Sequence, residues 1–457
     1  MASRAFDAIV IGAGQAGPPL VGRLAGAGMR VALAERKFFG GTCVNAGCTP
    51  TKAMVASAKA AHLARRAADY GVTVGDVGVD MAAVKARKDR ILLASRHGVE
   101  QALRDNERCT VFEGHARFES PTEVRVGDEL LSAPRIFINV GGRAVVPAMP
   151  GIDTVRTLTN TTILELDAVP RHLVVVGGSY IGLEFAQMFR RFGAAVTVVE
   201  KGDRLIGRED EDVSAAIRAI LEGEGIAVRT GADCITFRPS GDDIAVGVEC
   251  TSGEPESIGS HVLLAVGRRP NTDDLGLDRA GVATDEHGTI RVDDELRTNV
   301  AGIWALGDCN GRGAFTHTAY NDYEIVAANL LDGGSRRVSD RIEVYALYID
   351  PPLGRAGLTE AQAVKAGHRV RIGQRPMTRV SRATEKGETA GFMKIVVDAE
   401  SNAILGASIL GVGGDEAIHA VIDTMAAGRT ATELAQTMHI HPTVSELLPT
   451  IAGALKP

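Results

Sequence analysis

The chain has 457 residues, 45% of them hydrophobic and 23% charged, the balance of an ordinary folded protein with room for about three domains of ~150 residues. A net charge of −7 argues against a broad nucleic-acid-binding face, and no apolar run reaches the ~18 residues of a membrane span. The first apolar stretch, Phe6–Ile11, is cut short by Gly12, so no export signal is read and a cytoplasmic, reducing location is expected.

Residues 6–11 predict a buried strand. Gly12-Ala13-Gly14-Gln15-Ala16-Gly17 follows, then a helix to about Gly26 and a second strand, Val31–Glu35. This is a βαβ unit with a GxGxxG turn. Gly12 permits the sharp turn, Gly14 lets the backbone approach a pyrophosphate, and Gly17 lets helix and strand pack closely. Glu35 ends the second strand, where a carboxylate accepts from a ribose hydroxyl. Pro18 and Pro19 fall in the first helical turn, where a missing N–H is tolerated. The pattern reads as dinucleotide binding.

Next comes Gly40-Gly41-Thr42-Cys43-Val44-Asn45-Ala46-Gly47-Cys48-Thr49-Pro50-Thr51-Lys52. A disulfide needs Cα atoms roughly 4.4–6.8 Å apart, whereas an i,i+5 pair in a regular helix stands about 8–9 Å apart. Bridging Cys43 and Cys48 therefore requires a tightened or broken turn, which Gly47 makes easy. A helix predicted from Thr51 to about Asp69 sets Cys48 near a helix N-terminus, where a thiolate is favoured. The pair suits a dithiol that opens and closes. A static disulfide and a zinc site are the alternatives; no metal site is predicted, since no second Cys or His pair with ligand spacing lies nearby. Cys109, Cys234, Cys250 and Cys309 are scattered and read as small buried or half-buried residues.

Residues 54–107 read as helical with a break near Gly71–Gly78, and residues 109–147 as short strands, with Ile136–Gly142 an apolar strand ending in the pair Gly141-Gly142. The βαβ unit then recurs: strand Leu173–Val176, turn Gly177-Gly178-Ser179-Tyr180-Ile181-Gly182, helix Leu183–Phe192, strand Ala195–Glu200. The same 23-residue interval separates Gly12 from Glu35 and Gly177 from Glu200, so two nucleotide sites are expected. Ser179 replaces the middle glycine, a cost in backbone approach that its hydroxyl offsets by reaching phosphate. Val262–Gly267 is another buried strand ending in glycine. Ile303–Leu306 leads into Gly307-Asp308, where the aspartate reads as a helix N-cap or, after two dinucleotide units, as a sugar-alcohol contact. From about 340 the alternation at 342–349, 369–374 and 391–397 predicts an antiparallel sheet, with helices at 415–427 and 431–438. His439-Ile440-His441-Pro442-Thr443-Val444-Ser445-Glu446 then offers a general acid/base with a carboxylate to orient it, or two surface histidines at a turn.

In this order, the first GxGxxG, Cys-x4-Cys, the second nucleotide turn, Gly-Asp and the terminal His-Pro-Thr…Glu resemble the flavin-dependent pyridine nucleotide–disulfide oxidoreductases over essentially the whole chain. This is the group of dihydrolipoamide dehydrogenase, glutathione reductase and mercuric reductase. The wording of residues 40–52 is most similar to the mercuric reductase branch. The resemblance implies an α/β fold of two Rossmann-like domains, for FAD and NAD(P), plus a C-terminal α+β dimerisation domain. The implied segments are 1–147 and 271–338 for FAD, 148–270 for NAD(P) and 339–457 for dimerisation.

It also implies roles. Gly12, Gly14, Gly17, Glu35, Gly41, Thr42, Gly141 and Asp308 would hold FAD; Gly177, Ser179, Tyr180, Gly182, Glu200 and Gly267 would hold the nicotinamide nucleotide, with Tyr180 covering its pocket. Lys52 would pair with Glu184 beside the flavin. Cys48 would be the thiolate facing the flavin and Cys43 the thiol that attacks substrate. His441, paired with Glu446, would come from the other subunit of a homodimer, while His439 is assigned no catalytic role and is read as structural. The implied activity passes electrons from NAD(P)H through FAD and the Cys43–Cys48 disulfide to a small disulfide or a soft metal ion. Glu200 favours NADH, although Lys201 and Arg204 lie close and mercuric reductases favour NADPH. True mercuric reductases add a C-terminal Cys-Cys pair and often an N-terminal Cys-x-x-Cys domain; this chain has neither, and its last cysteine is Cys309. Dihydrolipoamide dehydrogenase is the alternative enzyme, and a non-catalytic flavoprotein redox sensor the alternative of another class.

Overall fold

A computed structural model describes residues 3–249 and 255–456; Cys250 and the terminal residues Met1, Ala2 and Pro457 fall outside them. The chain divides into two compact units: Met1–Ala53, Lys85–Val145 and Gly267–Arg341 form one, and Met54–Val84, Val146–Val266 and Ile342–Pro457 the other.

In the first unit, Ala8–Ile11 is buried on both faces and becomes the middle of a parallel five-stranded sheet. The order is Ile303–Ala305, Ile136–Ile138, Ala8–Ile11, Val31–Glu35, Cys109–Glu113. Successive side chains point to opposite faces. Ala8 and Val10 pack with Leu20 and Leu24 of helix Gly17–Gly26 and Ile325 and Val326 of helix Thr316–Leu331. Ile9 and Ile11 pack instead with Phe118, Val124 and Leu131 of a second, four-stranded sheet. Covered faces explain the unbroken apolar runs that predicted these strands. Cys309 is fully buried, its thiol directed at the Leu306 carbonyl, and Cys109 is half-buried, as expected of both.

In the second unit, Ala227–Arg229, Ala195–Val199, His172–Val176 and His261–Leu264 form a parallel sheet in that order. A three-stranded antiparallel sheet follows it, and here one expectation fails: Cys234 is exposed. It stands at a positive φ of 50° where the pairing of Asp233–Ser240 slips between Asp233 and Thr236, and this bulge turns the side chain outward. The C-terminal part is a five-stranded antiparallel sheet, Val344–Leu347, Leu353–Gly357, Ile404–Leu410, Phe392–Asp398, Val370–Pro376, packed against helices His419–Ala426 and Leu448–Gly453. The predicted helix 431–438 is only Ala431–Ala435, opened by a capping box in which the Thr430 hydroxyl accepts the Glu433 N–H. Buried ion pairs tie the sheets of this unit: Arg355 lies 3.3 Å from Glu209, whose carboxyl burial raises to about 7, and Lys394 meets Asp210, Asp212 and Glu360.

Candidate active site

The two glycine-rich turns are built alike, bond for bond. Gly12 N–H donates to Ala34 O at 2.8 Å and Gly177 N–H to Val199 O at 2.8 Å. Glu35 accepts from Ala13 N–H at 2.9 Å and Lys37 N–H at 2.8 Å; Glu200 accepts from Gly178 N–H at 2.5 Å and Gly202 N–H at 2.7 Å. The strand-end acid thus first braces its own turn, and any ribose contact uses the lone pairs that remain. A Cβ at Gly17 would lie 2.3 Å from Gly12 O, and one at Gly182 2.0 Å from Gly177 O, so each helix packs on its turn only as glycine.

The copies differ where Ser179 replaces a glycine, and the structure gives the reason. Asn139 follows the strand beside the first turn, and a Cβ at Gly14 would sit 3.2 Å from its Nδ2. Ala265 holds the corresponding place in the second copy, leaving room for a serine. Ser179 is the N-cap of helix Tyr180–Phe192 but makes no side-chain cap bond. Asn139 is 6% exposed and its Nδ2 has no hydrogen-bond partner among the described residues. A buried orphan donor over a turn kept open by glycines fits a phosphate-bearing ligand. Gly141, at φ +61°, turns the chain beyond Asn139, and its carbonyl accepts from Asn271 N–H. Asp308, in the short helix Gly307–Asn310, is not an N-cap; Leu306 is. Burial holds its carboxyl above the usual carboxylate range, with Arg268 3.7 Å away opposing the shift.

The cysteines lie on two helices broken at one residue. Gly41–Ala46 carries Cys43, Gly47 interrupts, and Cys48–Arg65 begins at the second cysteine, three residues before the predicted start. A Cβ at Gly47 would lie 2.8 Å from Thr42 O and 3.2 Å from the Cys43 Cα, so only glycine lets the second helix fold this tightly onto the first. Gly41 packs equally closely: its Cβ would be 2.8 Å from the Gly14 Cα, which seats the dithiol loop on the nucleotide turn. Thr42 is exposed, and Lys52 stands one turn beyond Cys48.

Both cysteines are free thiols. The adjacent Cys48, first as a hydrogen-bonding partner and then, after burial, through its charge, pushes the Cys43 thiol far up, with Thr316 opposing the shift. Gly47→Ala is expected to cost about 1–3 kcal/mol through overpacking and to slow disulfide turnover. Unchanged melting temperature and unchanged turnover would remove Gly47 from this role.

Sequence reading missed the residues that brace the loop. Asn45 donates to Phe39 O at 2.9 Å and Gly41 O at 2.8 Å, and accepts from Arg96 at 2.6 Å. Arg96 lies 4.0 Å over the Phe38 ring. The Thr316 hydroxyl is 3.3 Å from the Cys48 sulfur. A polar residue inside the apolar run 136–140 was the available signal for Asn139; Arg96 and Thr316 carry none.

In the second unit, Glu184 is 4% exposed and accepts from Tyr348 N–H at 3.0 Å. Tyr180 opens its helix, and Gly267, at φ +120°, lies in the first unit. His441 Nδ1 lies 2.7 Å from Glu446, which fixes the tautomer with Nε2 outward. His441 is 74% exposed, as are its neighbours Met438 at 95% and Ile440 at 80%. His439 Nδ1 meets Ser445 O at 2.6 Å, a bond that shapes the turn.

Residues 6–322 match the model of the pyridine nucleotide-disulphide oxidoreductases, and residues 344–452 the dimerisation domain of the same group. The chain belongs to this family.

Pyridine nucleotide-disulphide oxidoreductases similar to it include a probable member, RclA, of Escherichia coli, 35% identical over 99% of both chains. A dihydrolipoyl dehydrogenase of Thermus scotoductus is 33% identical over 99% of this chain and 98% of its own, and a mercuric reductase of Streptomyces lividans 33% identical over 97% and 94%. A solved Cu(II) complex of the HOCl-induced flavoprotein disulfide reductase RclA superposes with a TM-score of 0.90 at 34% identity, covering 99% of this chain and 100% of that one. The family assignment makes the chain an oxidoreductase of the flavoprotein disulfide reductase type, α/β in fold, using FAD and a pyridine nucleotide. Among the described residues no helix is long and apolar enough to cross a membrane.

Proposed function

We propose that this oxidoreductase uses Cys43 and Cys48 as a redox couple that carries two electrons from NAD(P)H to a small disulfide or a soft metal ion. The observation that carries the reading is the fold-back at Gly47, which starts a new helix at Cys48 close to Cys43, in a loop seated on the first nucleotide turn. Bound FAD supplies the relay that takes hydride from nicotinamide and passes electrons to sulfur. Gly12, Gly14, Gly17, Glu35, Asn139, Gly141 and Asp308 would hold it, with Gly41, Thr42 and Lys52 beside it. Gly177, Ser179, Tyr180, Gly182, Glu200 and Gly267 would hold the nicotinamide nucleotide.

Reduction of the bridge leaves a proton on Cys43 and charge on Cys48. Cys43, once deprotonated, attacks the substrate sulfur; Cys48 then attacks Cys43, reforming the bridge and releasing the reduced product. His441 of the partner subunit in a homodimer takes the Cys43 proton and passes it to the leaving thiolate of the substrate. The bare apolar side chains of Met438 and Ile440 support this, as surface that a partner would cover. A dithiol maintained by a nicotinamide pool suits the cytoplasm.

The test is one panel on the purified holoenzyme: lipoamide, glutathione disulfide, Hg(II) and Cu(II), each with NADH and NADPH, and dihydrolipoamide with NAD+. Cu(II) is included because the similar solved protein is a Cu(II) complex. Turnover of a disulfide or an ion supports the reading, turnover confined to dihydrolipoamide with NAD+ assigns the dehydrogenase direction, and no turnover with any acceptor refutes it. We further expect NADH to exceed NADPH in kcat/KM by about tenfold, because Glu200 faces the 2′ position with a carboxylate that a phosphate cannot approach. An equal or inverted ratio would show that Lys201 and Arg204 override it.

A further inference from the structure

The loop that follows Glu200, residues 201–210, doubles back on the second nucleotide turn: Ile206 N–H donates to Gly178 O at 2.9 Å. Ile206 does so at φ +45°, a left-handed backbone that a β-branched residue keeps only where its surroundings hold it there. Glu209 N–H donates to Ile206 O at 2.9 Å and closes the turn on that residue. The loop then ends in two consecutive carboxylates, and both leave it for the C-terminal part of the same unit. Glu209, 2% exposed, accepts from the Tyr345 hydroxyl and lies 3.3 Å from Arg355. Arg355 is equally buried and is itself fixed, donating to Ala356 O at 2.5 Å and Ala407 O at 2.8 Å. Asp210 accepts from Glu360 N–H at 3.0 Å, Ala361 N–H at 3.1 Å and Lys394 Nζ at 3.2 Å. The nucleotide loop is thus anchored by residues 136 to 184 positions away in sequence.

We propose that Glu209, gripped by Tyr345 and Arg355, is a positioning residue for the pyridine nucleotide: it holds Ile206 in place, and through Ile206 the Gly178 turn and the loop that carries Lys201 and Arg204. The proposal rests on the second glycine-rich turn being the nicotinamide nucleotide site. A buried ion pair adds little net stability, because desolvation offsets the attraction. What this one supplies is a fixed place for the loop, and the residues that supply it belong to the domain matched as the dimerisation domain, residues 344–452. With the grip released, Ile206 relaxes out of the left-handed region and its bond to Gly178 O is lost. The turn must then be ordered when the nucleotide arrives, which weakens binding. The anchor therefore acts on affinity and not on the hydride-transfer step.

The test measures Kd for NAD+ and NADP+ by calorimetry on the oxidised holoenzyme, and KM and kcat for NADH and NADPH with ferricyanide as electron acceptor. Tyr345→Phe keeps the ring and removes the donor; Glu209→Gln keeps the shape and removes the charge. Each should raise Kd and KM about tenfold, the lower end of what one hydrogen bond to a charged group is worth, and leave kcat within about twofold. The double variant should do little more than the worse single one, since both changes break the same contact. Tyr345→Phe, which adds neither charge nor bulk, decides the matter if Glu209→Gln does not fold. Glu200→Ala is the control for the site itself and should also weaken binding. Unchanged Kd and KM in the anchor variants, or a fall in kcat alone, overturn the role of Glu209. Unchanged binding in Glu200→Ala would instead overturn the nucleotide-site reading beneath it.

Discussion

Cys48→Ser is expected to lower NAD(P)H-linked disulfide reduction by on the order of 10⁴ or more, the scale of removing a covalent nucleophile. The oxygen keeps the size of the side chain and its place at the start of helix Cys48–Arg65, 3.3 Å from Thr316 in the native sulfur's case, so the fold is retained. What is lost is a sulfur able to close on Cys43. The attack of Cys43 on substrate can still occur, but nothing resolves the mixed disulfide, and substrate stays bound through Cys43. Mass spectrometry should find that adduct on the Cys43 peptide, and the long-wavelength thiolate-to-flavin absorbance of the reduced holoenzyme should vanish. Retention of more than about a tenth of the turnover would sink the assignment of the resolving sulfur.

His441→Ala should lower turnover by roughly 10²–10⁴, the usual worth of a positioned acid/base. The argument is electrostatic. The neighbouring Cys48 and partial burial push the Cys43 thiol far up and hold its proton in place. It therefore needs a base, and His441 is prepared to be one because Glu446 at 2.7 Å occupies Nδ1 and leaves Nε2 as acceptor. Electron entry from the pyridine nucleotide should persist, so the loss appears in acceptor turnover alone. Co-expressing Cys43→Ser subunits with His441→Ala subunits separates the geometries. If each site takes its histidine from the partner, random pairing restores about a quarter of wild-type activity. If each chain supplies both residues to its own site, none returns.

The repeated nucleotide turns were legible because their logic is local. A βαβ unit needs a small residue at fixed offsets from its strand, and those offsets survive in the spacing Gly12–Glu35 and Gly177–Glu200. The cysteine loop was legible for the same reason: Gly47 between Cys43 and Cys48 marks the break that lets them meet. The contact between His441 and Glu446 was less so. Five residues apart around Pro442, they meet only because the turn is held by His439 on Ser445. Cys234 was misread because a bulge, not composition, decides its exposure.

The amino-acid order by itself determined the two nucleotide folds, the paired sulfurs and the family, since each depends on residues a few positions apart. Only the tertiary structure decided what stands behind them: Asn139 over the first turn, Arg96 bracing Asn45, and Thr316 on the Cys48 sulfur. These contacts join segments 51 to 268 residues apart. No local preference encodes them, because they exist only once packing of the sheet and its helices has brought those segments together.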